Sequence, residues 1–158
     1  MFVDLLRWLH VIGATVLLGA GGGIVYFMLM AHRTRDPRLI AHVAGTVVLA
    51  GTFLTATAVL IQPLTGMLLA VKNGWSLTEG WLAIAMALYM LTGLLCLPVV
   101  SIQLRLRDLA QDAVVAALPL GPEYDRLFRI WLASGITAFA AVLAIIWLML
   151  AKPSLSLW

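Results

Sequence analysis

The chain has 158 residues, 63% of them apolar and 11% charged, with a formal net charge of +3 and a mean hydropathy of +1.06. Soluble globular domains carry roughly a quarter charged residues, so this composition excludes a soluble module and predicts a single membrane domain over residues 1–158. The lone Cys96 excludes an intrachain disulfide, and the chain has no P-loop, dinucleotide fingerprint, HExxH or CxxC.

Four apolar segments, at about 3–30, 41–71, 80–104 and 126–151, each exceed the roughly 20 residues that cross a bilayer core. They predict an all-α polytopic protein, a bundle of four transmembrane helices. The first segment contains Asp4 in its opening turn and has too long an apolar run for a cleavable signal peptide. About two turns in stands His10, the one histidine well inside any segment and a residue type that ligates metal or haem. Ionisable groups at such a depth mark functional sites by default. Gly13, Ala14, Leu17 and Gly21 follow His10 at helical spacing. The loop after this segment holds Arg33, Arg35, Pro37 and Arg38, flanked by His32 and His42, which are expected at the interface or against lipid headgroups.

On the second segment Gly51, Thr55, Ala58, Gln62 and Gly66 form one stripe, and Pro63 deprives the carbonyl of Val59 of its helical donor, so that carbonyl needs another partner. Asn73-Gly74 breaks the helix before the third segment, where Tyr89, Thr92, Gly93 and Cys96 share a face. The run LRLRDLAQDAVVAAL from Leu104 to Leu118 continues helical periodicity and predicts an amphipathic inner-side extension of helix three. After Pro119 and Pro122, the fourth segment offers Ser134, Gly135, Ala138 and Ala141. The seven methionines are scattered and read as lipid-facing side chains.

Cations set the orientation. Arg33, Arg35, Arg38, Arg105, Arg107, Arg126 and Arg129 lie on one side and Arg7, Lys72 and Lys152 on the other, which predicts both termini on the periplasmic side of a bacterial inner membrane. Trp8, Trp75, Trp81, Trp147 and Trp158 then form an outer aromatic belt. At about 1.5 Å of rise per residue, His10 lies roughly 10 Å below the outer surface, and Gln62–Thr65 and Tyr89 reach a similar depth on their own helices. His32 lies about 33 Å further along the first helix and cannot share a metal atom with His10. His10, Gly13, Gln62, Thr65 and Tyr89 are therefore the candidate cofactor layer, with His10 as the metal ligand.

The runs Trp8-Leu9-His10-Val11 with Gly19, QPLTG at Gln62–Gly66, WLAIAMALY at Trp81–Tyr89, LPVVSIQLRLRDLA at Leu97–Ala110 and WLMLAKP at Trp147–Pro153 cover nearly the whole chain. They resemble a family of small bacterial integral membrane proteins known only as a domain of unknown function. More distantly, the chain is similar to the four-helix fold shared by HemJ-type protoporphyrinogen oxidase, the copper resistance D membrane domain and the membrane part of certain urate oxidases. The HemJ resemblance implies haem b held by the first-helix histidine, here His10. HemJ-like proteins also carry a lysine shortly after the third-helix Trp, where this chain has Leu82, Ala83, Ile84, Ala85 and Met86, so porphyrinogen oxidation is not implied with it.

The leading expectation is a b-type haem protein working in electron transfer or membrane oxidoreduction, with a quinone or redox protein as partner. The alternatives are a copper or small-solute transport protein using His10, Met67 and Met90, or a structural subunit that dimerises or joins a larger complex through its small-residue faces. Nucleic acid is not an expected partner. No nucleophile or carboxylate pair is available for chemistry, so any enzymatic role would depend on a cofactor.

Overall fold

Each helix boundary has a local cause. In the computed structural model, which describes residues 1–154, the chain folds as α1 (Phe2–Thr34), α2 (Pro37–Ala50), a π-helical turn (Gly51–Thr55), α3 (Ala56–Asn73), α4 (Gly80–Ala116) and α5 (Pro122–Ala151). Trp158 of the expected aromatic belt lies outside the described residues. Arg35 ends α1 in a left-handed conformation, φ 56°. Asp36 then caps α2, its carboxylate accepting from the Arg38 N–H at 2.9 Å, with Pro37 in the first turn, where a missing N–H costs nothing. At the other end Gly74, φ +70°, closes α3, and the Trp75 N–H reaches back to the Ala70 carbonyl at 3.0 Å.

α2, the π turn and α3 run on as one span, Pro37–Asn73, so the described residues contain four helices long and apolar enough to cross a membrane. The expected four-helix membrane bundle is what forms. The helices overrun the apolar segments at most ends, and the amphipathic run after Leu104 is an unbroken continuation of α4 to Ala116. That continuation buries Leu106 and Ala110 in the bundle core. Span one packs on span two and α5, and α4 packs on α2 and α5, giving a ring in chain order.

The ring is not uniform along its length. At the end that carries the α1–α2 and α4–α5 turns, called the inner end as opposed to the outer end with the α3–α4 turn, Met28, Ala31, Ile40, Ala44, Leu106, Ala110, Tyr124, Phe128 and Trp131 form one buried cluster drawn from all four spans. At the outer end a smaller cluster of Ala70, Trp81 and Leu82 is capped by Trp75, whose ring meets Trp81 edge-on at 5.5 Å. Lys152 places its Nζ 3.9 Å from the centre of the Trp75 ring, a cation–π contact that ties the end of α5 to the α3–α4 turn. Between these clusters the outer half is splayed. Among the described residues, no Cα of α3 comes within 8 Å of α4 or α5. The second span packs on both α1 and α4 on the inner side of the π turn, and beyond it α3 keeps only α1, of the described helices, as a backbone neighbour.

Gly74 is the residue in the outer turn whose backbone excludes a side chain. Gly74→Val forces a β-branched residue into the left-handed region at a cost of about 1–2 kcal/mol. The expected result is a lower thermal midpoint in detergent, with Gly45→Ala, on an open helix face where an added Cβ meets nothing within 4 Å, melting at or above the parent.

Candidate functional site

α3 presents a buried stripe, Ala58, Gln62, Thr65 and Leu69, at helical spacing, and packs it on α1, where Leu6 and Gly13 are buried. Glycines make the close approach possible. A Cβ on Gly66 would lie 3.1 Å from His10 Cε1, so the imidazole rests on bare backbone of α3. A Cβ on Gly13 would lie 2.5 Å from Gln62 Oε1, so the Gln62 amide occupies the space that a side chain on α1 would take.

His10 is half-buried, and its Nδ1 lies 2.8 Å from the Thr65 hydroxyl. Thr65 also reaches the carbonyls of Ile61 at 2.9 Å and Gln62 at 3.1 Å. A hydroxyl has one proton and carbonyls only accept. The assignment that uses all of these contacts has Thr65 donating to its own helix and accepting from His10 Nδ1–H. His10 Nε2 is then left with a free lone pair. A histidine whose second nitrogen donates to a neighbour is oriented in this way at metal centres.

Gln62 is only 8% exposed, yet its Oε1 has no hydrogen-bond partner among the described residues. Most buried polar side-chain atoms are paired. With that tautomer the layer offers two acceptors without donors among the described residues, His10 Nε2 and Gln62 Oε1, on one seam. Tyr89 enters differently. Its hydroxyl donates to the Val59 carbonyl, the group that Pro63 leaves without a helical donor. Tyr89 is therefore the partner that carbonyl required, and this bond bridges α4 to α3 where their backbones stay apart. It lies one helical turn inward of Gln62 rather than beside His10.

Of the five sequence candidates, the structure joins His10 to Thr65 and Gly13 to Gln62, and gives Tyr89 a separate contact on the same helix. His10 and Thr65 could hold a metal-bearing group through a single oriented imidazole. Among the described residues no three His, Cys, Asp or Glu side chains gather into a metal-binding group. Met67 and Met90 are exposed, 48% and 70%, as lipid-facing side chains would be.

Other features were not anticipated. His32, expected at the interface, instead stacks on Phe128 with ring centres 3.7 Å apart and planes 5° from parallel, and lies 5.7 Å from the Tyr124 ring. Its Nδ1, with Tyr124 OH, Trp131 Nε1 and Gln103 Nε2, is buried without a partner among the described residues. The spacing of Tyr124, Phe128 and Trp131 marks one face of α5, but nothing in the sequence assigns that face to α1. The buried, unpaired Thr55 hydroxyl in the π turn carries no sequence signal either. His42, by contrast, is exposed as expected.

Over residues 4–153 the chain matches the family described as predicted integral membrane protein (DUF2269), and it belongs to that family. No curated protein and no solved structure matches it.

The Tyr89–Val59 bond predicts a specific coupling. Tyr89→Phe should cost about 1 kcal/mol by stranding the carbonyl. Pro63→Ala restores an N–H four residues on, so in that background Tyr89→Phe should cost less than half as much. Equal costs in both backgrounds, measured by reversible unfolding in detergent, would show that the two groups are not partners.

Proposed function

We propose that this integral membrane protein carries a b-type haem on His10 and serves in membrane electron transfer. The observation behind this reading is the Thr65 contact, which turns Nδ1 toward α3 and would leave Nε2 free to hold the iron. The distant resemblance to HemJ-type proteins, in which a first-helix histidine ligates haem, supports the same role. Gln62 and Gly13 lie on the same seam, and Gly66 removes the side chain that would otherwise push the imidazole aside. Bound haem would supply one-electron chemistry, its potential set by the axial ligand and the hydrogen bond behind it. Thr65 raises the basicity of the imidazole and holds its plane. Gln62 offers an acceptor to any donor on the ligand, and the surrounding apolar side chains keep water out. A quinone or redox protein in the membrane is the matching electron partner. The distribution of arginines supports a bacterial inner-membrane setting with both termini periplasmic.

A second reading, assembly with a larger complex or a second copy, has its own support. Gly19, Gly21, Gly23 and Gly93 have open space where a Cβ would stand. Such bare helix surfaces suit close packing by another helix. Copper or small-solute transport has no comparable geometric support at His10.

The test is an absorbance spectrum, oxidised and dithionite-reduced, of protein purified from a haem-supplemented host. A Soret band with sharpened α and β bands is expected in the parent and absent in His10→Ala of unchanged helical content. Thr65→Val should keep the haem and shift its reduction potential. A colourless, folded parent would refute the haem reading and leave His10–Thr65 as an interhelical tie.

A further inference from the structure

We propose that the inner end of the bundle holds a site for an anionic phospholipid, in the cleft between the first turn of α2 and the last turns of α4. This is independent of the haem reading. The cleft measures about 410 Å³ and is lined by Arg38 and Ala41 from α2 and by Gln111, Val114 and Val115 from α4. The residues recur at helical spacing on two facing surfaces, so the lining follows from helix packing rather than from a loop.

The lining has the composition of a lipid site. Ala41, Val114 and Val115 give an apolar wall, and Val115 is 88% exposed, with Leu118 beyond it at 62%. An apolar wall beside headgroup donors suits the glycerol backbone and the first methylenes of a lipid. Arg38 and Gln111 supply donors for phosphate and glycerol oxygens. Basic pockets between membrane helices on the cytoplasmic side bind acidic headgroups in this manner.

Charge complementarity selects an anionic lipid over a zwitterionic one. The carboxylates of this end are already engaged. Asp125 pairs with Arg35, Glu123 with Arg105 and Asp108 with Arg107. Asp36 caps α2, and Asp112 lies within electrostatic reach of Arg105. Arg38 has no carboxylate within 4.0 Å among the described residues. It is a guanidinium at headgroup level, over an apolar wall, with no protein counter-ion. A nucleic acid or acidic peptide would satisfy the charge and leave the valines uncovered.

Native mass spectrometry of the detergent-purified full chain tests the site, with phosphatidylglycerol and phosphatidylcholine of identical acyl chains as probes. Phosphatidylglycerol should bind the parent preferentially, and Arg38→Gln should weaken it by about fivefold, the weight of one arginine at a membrane surface. Arg38→Lys should retain most of the preference, and Arg126→Gln, outside the cleft, should leave it unchanged. Equal binding of the two lipids overturns the proposal. So does an equal loss in Arg126→Gln and Arg38→Gln, which signals diffuse charge. Displacement of the lipid by soluble glycerol 3-phosphate would overturn it in favour of a free phosphate ligand.

Discussion

Hydrocarbon offers a polar group no substitute for water, so a polar side chain in a spanning helix gains by finding its partner within the protein. Most do so locally. Thr15, Thr46, Thr52, Thr57, Thr92 and Thr137 each donate to the carbonyl four residues earlier in their own helix. Groups that cannot be satisfied locally create the tertiary structure of the outer half. Pro63 removes one N–H, and Tyr89 must come from another helix to satisfy the stranded carbonyl. His10 cannot turn back on its own helix, and Thr65 takes its Nδ1. The groups left over, Gln62 Oε1 among them, stand out against this background of satisfied threonines.

Much of this was readable beforehand because helices in membranes obey few rules. Span length follows from bilayer thickness, and the four spans appear where apolar length places them. Depth follows from rise per residue, so His10 and Thr65 could be set at one level and are found bonded there. The Val59 carbonyl was flagged by Pro63 alone. What depth does not give is rotation about the helix axis, or which helix lies opposite. His32 shows the limit. Its position at the end of α1 was plain, but its stacking on Phe128 depends on how α5 is turned toward α1. The π turn is likewise a matter of tertiary fit, since one extra residue in a turn shifts the face of everything that follows.

The two ends of the molecule are built on different principles. The inner end is a conventional core, aliphatic and aromatic, closed by the Arg35–Asp125 and Arg105–Glu123 pairs on its surface. Exposed pairs of this kind add little stability, so apolar packing holds that end. The outer end is held by fewer and more specific contacts: a cation on two indoles, a tyrosine on a carbonyl and a histidine on a threonine. The histidine–threonine layer lies in a close α1–α3 seam, in the half where α3 stands clear of the α4 and α5 backbones.

The loss of α4 as a backbone neighbour at the π turn also bears on how the chain assembles. α1 with span two, and α4 with α5, are hairpins of consecutive helices, and each contains a large share of its own interhelical packing. Their mutual docking depends on α2 against α4 and on α1 against α5. Contacts close in sequence form early and at little entropic cost. Membrane insertion in order of synthesis would therefore deliver a complete amino-terminal hairpin, with the histidine–threonine tie already made, before the second hairpin leaves the ribosome.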